Sequence, residues 1–464
     1  MFALFIMRAW TEWLLSDVGR PKPCFIQSFF CALFSKTEGG FFMPSNKDMA
    51  KKKYTFIDLF AGCGGLSEGF LQTGRFNALA HVEWEKPMVD TLRNRLVNKW
   101  GESIMDAKRK VILFDIQKTD ELINGFWSDE SNLKYGLHNA DNVKTEGLKG
   151  LVGNKHVDLI IGGPPCQAYS IHGRATDKDS MQNDYRNYLF ESFCKVVDAF
   201  RPDLFVFENV GGLLSAKPGG IPVRKRIYDA FTQIGYKIRT PEEMPTALYD
   251  AANFNVPQHR PRVIILGTRN DTELNLDDLY AAIDKEKNLK VKLTVRDALG
   301  QLPPLYPLAQ PIKEGRYTRS HQKNPNSEIT QHESRNHGPR ERAIFKEWVE
   351  NNMNHISHKA MIDYYYEKTG HKTLYQKYKS LEWDKPSHTV VAHLSKDGYM
   401  FIHPDPEQQR SITIREAACL MTFPIDYQFL GSTPYNYKMI GNAVPVNFAK
   451  AIATALYKSL DKTK

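Results

Sequence analysis

The chain has 464 residues, an apolar fraction of 42% and 6 cysteines, which indicate a globular protein of two or three domains and argue against a disulfide framework. Lysine and arginine exceed aspartate and glutamate by 9, and this excess favours an anionic partner, nucleic acid before a membrane. No stretch approaches the roughly 18 apolar residues that cross a bilayer, which excludes a membrane-spanning protein. No cysteine spacing suits a structural zinc site, which excludes a fold stabilised by zinc.

The first 50 residues differ in their hydrophobic pattern from the rest of the chain. Phe, Trp, Leu and Cys are scattered among basic residues without a clear period, and Arg8 interrupts an apolar start that is too short for a signal peptide. We expect residues 1–50 to be a disordered or non-native extension, with Met49 as the natural first residue.

The ordered pattern begins with a strand at residues 53–60, followed at once by a glycine-rich loop. Glycines between a strand and a helix let a ligand approach the backbone closely, beside the free N–H groups of the helix start. The spacing Gly-x-Gly-Gly lacks the third glycine of a dinucleotide fingerprint. Gly62 and Gly64 are the candidate ligand contacts here.

The next two predicted strands, residues 78–82 and 111–114, each end in an acidic residue followed by an apolar one. In nucleoside-binding α/β folds an acidic residue at the end of the second strand accepts hydrogen bonds from ribose hydroxyls. A helix cap or a solvated turn is the alternative for each acidic residue taken alone. The candidate contacts at these two ends are Glu83, Trp84, Asp115 and Ile116.

A cysteine follows the next strand, residues 157–161, directly after the run Gly-Gly-Pro-Pro at residues 162–165. Ligands of open α/β sheets bind outside the carboxyl ends of the strands, and the prolines hold the chain extended there. Cys166 is therefore predicted as a nucleophile, although a lone cysteine is more often a small buried apolar residue. The long polar segment 171–186 is predicted to be a lid.

A helix at residues 187–200 leads to a strand at residues 203–207, which ends at Glu208. Consecutive parallel strands joined by one helix usually lie side by side. Glu208 would then face the same crevice as Cys166, and a carboxyl in a partly dry pocket is suited to act as a general acid.

Two alternating arginines precede the last predicted strand of the sheet, residues 263–267. If the chain is extended, Arg260 and Arg262 point to one face, where two guanidinium groups suit a carbonyl or phosphate oxygen. A surface arginine pair is the alternative.

The segment from residue 271 to 390 is long, polar and basic, with aromatic and cationic residues interleaved around residues 364–379. This composition favours a second, smaller domain with a nucleic-acid surface, and it fits a solvated face equally well. After this segment the sequence again shows the pattern of regular secondary structure, which predicts a helix that begins at Thr413 and a last helix at residues 446–460.

Taken in chain order, these stretches resemble the DNA (cytosine-5) methyltransferases from residue 54 to residue 456, except in the middle of the variable segment. The resemblance implies a doubly wound, mostly parallel α/β sheet, the fold of S-adenosylmethionine-dependent methyltransferases. Residues 51–270 would be the catalytic and cofactor-binding domain, residues 271–390 the target recognition domain, and residues 391–464 a return to the catalytic domain. The resemblance rests on residues 58–65, 83–84, 115–116, 163–167, 208–210, 258–262 and 441–445.

The resemblance also implies roles for individual residues. It makes Cys166 the nucleophile that adds to C6 of cytosine, Glu208 the acid at N3, and Arg262 an orienting group near O2. Gln258 and Arg260 would support that corner of the site. The residues that would hold S-adenosylmethionine are Phe60, Gly62, Gly64, Glu83, Trp84, Asp115, Ile116, Pro165, Leu189 and Asn442.

The implied activity is methyl transfer to C5 of a flipped-out cytosine in a specific sequence of double-stranded DNA, without a metal. We expect a monomer of the bacterial cytoplasm, held at the nucleoid by its DNA, that belongs to a restriction-modification system. A cognate restriction endonuclease is a candidate partner. The alternatives are a transfer-RNA cytosine-5 methyltransferase, which would use the same cysteine and glutamate, and a catalytically inactive DNA-binding homologue.

Overall fold

The first predicted strand, β1 (Tyr54–Leu59), is buried along nearly its whole length and lies inside the main sheet. The computed structural model describes residues 52–165, 189–315 and 317–463. The predicted extension 1–50, the predicted nucleophile Cys166 and the predicted lid 171–186 lie outside the described residues.

The main sheet has eight strands within the described residues, in the order β3-β2-β1-β4-β5-β8-β6, with β7 paired to β8. Apolar β-branched and aromatic residues dominate the central strands, as expected for strands buried on both faces. The remaining strands of this sheet are β2 (Phe76–Glu83), β3 (Val111–Leu113), β4 (Leu159–Gly162), β5 (Leu204–Val210), β6 (Tyr236–Ile238), β7 (Leu248–Asp250) and β8 (Pro261–Arg269).

Strands β1 to β5 run parallel to one another, whereas β8 is antiparallel to β5, β6 and β7. The predicted mostly parallel, doubly wound α/β fold is confirmed, and β5 lies beside β4 as predicted. Because parallel strands end at the same edge of a sheet, the chain brings the residues after β1, β2, β3 and β4 to one crevice.

Helices connect the strands and cover both faces of the sheet. Among the described helices, none is long and apolar enough to span a bilayer. They are α1 (Gly65–Gln72), α2 (Lys86–Asn98), α3 (Ile104–Lys110), α4 (Thr119–Asn124), α5 (Asp129–Tyr135), α6 (Asp141–Val152), α7 (Leu189–Phe200), α8 (Val223–Gln233), α9 (Leu276–Lys285), α10 (Val295–Leu299), α11 (Pro339–Glu350), α12 (His358–Thr369), α13 (Ile414–Leu420), α14 (Thr433–Asn442) and α15 (Val446–Thr463).

The last helix, α15, packs on α1 and shares the core of the main sheet. A Cβ atom at Gly69 would lie 2.7 Å from the carbonyl oxygen of Val446, so only glycine allows this close approach of the two helices. Phe448 and Leu456 are fully buried in the same cluster as the central strands. The end of the chain therefore packs into the core of the main sheet.

The segment between the two halves of the main fold contains a hairpin and a small core of its own. Strands β9 (Pro307–Glu314) and β10 (Tyr317–His321) form an antiparallel pair, and most of β9 is exposed. Helices α11 and α12 bury an aromatic cluster around Trp348 and Tyr378. The division of the chain at residues 270 and 390 stays a prediction.

Several element boundaries differ from the predicted ones. Strand β5 continues past Glu208 to Val210, because both of those residues pair with β8. The short strands β6 and β7 were not predicted, since three residues are too few for a readable alternation. The predicted start of α13 is confirmed, because Thr413 and Glu416 form a capping box.

Candidate active site

A cavity of about 320 Å³ opens at the carboxyl ends of strands β1, β2, β3 and β4. This volume lies at the lower end of the range for small-molecule sites. Strands β5 and β8 supply its far wall. The described residues predicted for the site that line the cavity are Phe60, Gly62, Glu83, Trp84, Asp115, Ile116, Pro165, Leu189, Glu208, Arg260, Arg262 and Asn442.

Glu83 ends strand β2 with its carboxylate held by three backbone N–H groups. Gly62 donates to Oε2 at 2.9 Å, while Trp84 and Glu85 each donate to Oε1 at 2.8 Å. Burial nevertheless raises the pKa of the Glu83 carboxyl to about 7, and the three hydrogen bonds oppose that rise. The carboxylate keeps acceptor capacity beyond these three donors, because its two oxygens offer about four lone-pair positions.

Apolar surfaces face the cavity on both sides of this carboxylate. The ring of Trp84 is 48% exposed although the residue borders the cavity, whereas Ile116 is buried. Phe60 adopts a left-handed backbone conformation, with φ of 59°, at the sharp turn after β1. Asp115 accepts a hydrogen bond from the backbone of Gln117 and lies half-buried at the rim. The arrangement suits a planar, polar ring with exocyclic donors.

Glu208 and Arg262 form an ion pair at the other end of the cavity. Arg262 Nε lies 2.9 Å from Oε1 of Glu208. The second oxygen, Oε2, lies only 2.6 Å from where a Cβ atom of Gly163 would stand. Glycine at position 163 therefore gives the carboxylate its place beside the end of β4.

The chain between β4 and the undescribed segment is fixed from strand β5. Asn209 donates from Nδ2 to the carbonyl oxygen of Pro164 at 3.2 Å, and Pro165 borders the cavity. Cys166 follows Pro165 directly in the sequence.

Arg260 is almost fully buried and holds together three parts of the chain. Its Nη1 donates to the carbonyl of Val390 at 2.7 Å, and its Nη2 donates to the carbonyls of Gly441 and Ala443, each at 2.9 Å. Although the residue borders the cavity, these bonds direct its guanidinium group toward the end of α14, which carries Asn442. The described contacts make Arg260 a positioning residue.

Gln258 and Gly64 are the two described residues of the predicted site that do not line the cavity. Gln258 is fully buried, donates to the carbonyl of Leu420 and accepts from the backbone of Val390. Gly64 has φ of 88°, and a Cβ atom there would lie 2.5 Å from the Leu92 side chain. Both residues act on the packing around the site.

The cavity also contains residues that the sequence reasoning missed. Lys438 lies four positions before Asn442 on α14, so the helical period places both on one face. That spacing was a usable signal. Glu85, Met88 and Gln117 also line the cavity. The sequence held no signal for these three residues beyond their closeness to predicted contacts.

A separate group of potential metal ligands lies at the opposite, amino-terminal edge of the sheet. Among the residues that the structure describes, His156, Asp158 and Asp203 offer ligand atoms within 4.8 Å of one another. Arg269 already donates to Asp203 at 3.2 Å. The group stands apart from the cavity, which lies beyond the other ends of the same strands.

Comparisons with known proteins cover nearly all of the described chain. A family model described as C-5 cytosine-specific DNA methylase matches residues 54–127 and 131–458. Type II methyltransferase M.Bpa9945I of Bacillus paralicheniformis is 35% identical over 446 residues, covering 86% of this chain and 98% of that protein. Type II methyltransferase M1.HphI of Haemophilus parahaemolyticus is 30% identical over 407 residues, covering 87% of each chain.

A solved structure shares the fold. The crystal structure of a protein described as a prophage-encoded DNA modification methyltransferase of E. coli superposes with a TM-score of 0.53 at 22% identity. The match covers 88% of this chain and 100% of that chain. At this identity the likeness supports the architecture of the sheet and its connections.

Proposed function

The chain belongs to the C-5 cytosine-specific DNA methylases, and from this premise we propose that it methylates one cytosine within a specific sequence of double-stranded DNA, with S-adenosylmethionine as methyl donor. The observation that carries the proposal is the shared cavity. The Glu208–Arg262 pair and the polar end of β2 at Glu83 border one space, so a base and a nucleoside-type donor would meet there.

The residues at the carboxyl ends of β2 and β3 fit S-adenosylmethionine. Glu83 would accept hydrogen bonds from the ribose hydroxyls, Asp115 would accept from the adenine amine, and Trp84 and Ile116 would pack on the ring. Asn442, Leu189 and Pro165 would complete the walls. When bound, the cofactor supplies an electrophilic methyl group.

The residues of this chain would activate the cytosine. C5 is a weak nucleophile until the thiolate of Cys166 adds to C6, which converts the ring into an enamine. Glu208 would protonate N3, and Arg262 would stabilise the charge near O2. After C5 is methylated, loss of the C5 proton to a base and elimination of the thiolate would restore the aromatic ring.

The target carbon is inaccessible inside a duplex, so the cytosine must be flipped out at a cost of a few kcal/mol. We assign the compensating contacts to the recognition segment 271–390. The hairpin β9–β10 supports this assignment, because the major groove of DNA is wide enough to admit an exposed two-stranded β-ribbon. Lys313 and Tyr317 are exposed on this hairpin.

The names of the relatives support a proposal for the biological setting. Because the two named relatives are called Type II methyltransferases, we infer that the chain is the modification enzyme of a bacterial restriction-modification system. It would act as a monomer on DNA in the bacterial cytoplasm, opposite a cognate endonuclease.

The test is incubation of the full chain with labelled S-adenosylmethionine and either duplex DNA or transfer RNA. We expect label in DNA only, at a site that bisulfite sequencing then identifies. Label in RNA alone would favour the transfer-RNA enzyme, and label in neither would favour the inactive homologue. DNA containing 5-fluorocytosine at that site should trap a covalent complex with the wild type and with Cys419→Ser, but not with Cys166→Ser. Absence of a complex with the wild type would overturn the covalent mechanism.

A further inference from the structure

A second ion pair lies in the wall of the cavity, between Glu85 and Lys438. The Nζ atom of Lys438 is 2.8 Å from one carboxylate oxygen of Glu85 and 3.0 Å from the other. The side chains are 33% exposed for Lys438 and 18% exposed for Glu85. Neither residue takes part in the chemistry assigned to Glu208 and Arg262.

The pair joins the two walls that the cofactor would touch. Glu85 occupies the N-cap position of α2 directly after Trp84, and Lys438 shares a face of α14 with Asn442. Both residues border the cavity itself. Their charges therefore act on whatever ligand fills it, at a reduced dielectric compared with bulk water.

The negative charge of Glu85 also acts on the neighbouring Glu83. Burial is the largest cause of the raised pKa of the Glu83 carboxyl, and the negative charge of Glu85 contributes to the rise. Glu85 is thus electrostatically coupled to the residue assigned to the ribose.

We propose that the Glu85–Lys438 pair keeps the charge of the cavity wall balanced, so that neither side chain's charge alone shifts the preference of the cavity between S-adenosylmethionine and S-adenosylhomocysteine, an inference that rests on the proposed function. The two ligands differ by one methyl group and by the positive charge of the sulfonium. A balanced pair leaves the wall near neutrality. Removing either member therefore leaves its partner's charge uncompensated beside the ligand.

The two single variants should then act in opposite directions. Lys438→Met leaves the negative charge of Glu85, which favours the cationic ligand. Glu85→Gln leaves the positive charge of Lys438, which disfavours it. A pair that only tied α2 to α14 would weaken both ligands in both variants, so the direction of change separates an electrostatic role from a structural one.

The experiment is isothermal titration of the full chain with each ligand, reported as the ratio of Kd for S-adenosylhomocysteine to Kd for S-adenosylmethionine. We expect the ratio to rise about threefold or more in Lys438→Met and to fall by a similar factor in Glu85→Gln. The double variant should return to within about twofold of wild type, and added salt should shrink all of these differences. The control is Lys225→Met with Asp229→Asn, an exposed pair on α8.

Ratios that stay constant, or that move in the same direction in both single variants, would overturn the proposal. If Lys438→Met does not fold, Lys438→Gln replaces it. A wild-type chain that binds neither ligand would contradict the assigned cofactor instead. That result is distinct from a failure of the pair, because it appears before any substitution is made.

Discussion

Glu208 and Arg262 are diagonal neighbours on one face of an antiparallel strand pair. Val210 stands opposite Arg262 in the register of β5 and β8, so Glu208 and Arg262 lie within reach of each other. Their side chains are 12% and 11% exposed. With Arg262 on one carboxylate oxygen and Gly163 beside the other, Glu208 has a fixed position at the base-proximal end of the cavity.

Glu208→Gln should lower the single-turnover rate of DNA methylation by about 10² to 10⁴, because an amide cannot donate the proton required at N3. DNA and cofactor binding should be largely retained, since Gln keeps the shape of Glu. Glu191→Gln on the exposed side of α7 is the matched control. A Glu208 variant with the wild-type rate would remove this residue from the mechanism.

Gly163→Ala should reduce the rate by about 10² with little change in Tm. The added Cβ would stand 2.6 Å from Oε2 of Glu208, so the carboxylate must shift, and misplacement by about 1 Å costs this much in rate. Gly136→Ala, where the nearest atom is 3.5 Å away, should retain activity. Both rates and thermal unfolding curves are needed. An unchanged rate in Gly163→Ala would show that the Glu208 carboxylate tolerates the shift.

Cofactor affinity should rise with pH through about 7. Burial raises the pKa of Glu83 to about 7, so below that pH the group is protonated and a poorer acceptor for ribose hydroxyls. The carboxyl also stabilises the unliganded fold most at pH below its ordinary pKa of about 4.5, and this contribution is lost as pH rises to 7. Titration calorimetry at pH 6 and pH 8 should show a difference of up to about tenfold per unit below pH 7. The Glu83→Gln variant should bind the cofactor weakly, and its affinity should not change with pH through titration of residue 83. Any titration of the ligand itself would affect the variant and the wild type equally.

Trp84→Ala should weaken S-adenosylmethionine binding by about tenfold, because stacking on a base is worth about 1–3 kcal/mol. The ring is 48% exposed, so the free energy of unfolding should hardly change. Tyr375→Ala, which removes a ring that is 69% exposed and does not border the cavity, is the control. Equal affinities for the Trp84 variant and the wild type would contradict the assigned position of the adenine.

Arg260→Met should destabilise the protein by about 3 kcal/mol or more, because three buried carbonyl groups lose a charged donor. Cofactor affinity should fall too, since two of those carbonyls flank Asn442. Thermal unfolding and titration calorimetry measure the two effects. Arg296→Met removes an exposed ion pair with Asp384 and should cost no more than about 1 kcal/mol. A stable Arg260 variant would show that the loops are held by other contacts.

The long apolar runs made the parallel half of the sheet predictable. The strands that became β1, β2, β3, β4 and β5 each carry enough consecutive apolar residues to be recognised, and the glycines and acidic residues at their ends identified one edge of the sheet as the site. Strands β6 and β7 escaped prediction because three residues are too few for a readable alternation, and their pairing with β8 forms only in the folded chain.

The sequence by itself identified the family motifs, the order in which the strands carry the residues of the site, and most of the residues that line the cavity. Only the tertiary structure identified the partners of the two arginines, which are backbone carbonyls for Arg260 and Glu208 for Arg262. It alone joined Glu85 to Lys438, residues that are 353 positions apart. The physical reason is that a motif records the type of a side chain, whereas partners, burial and direction are set by segments that meet only when the chain folds.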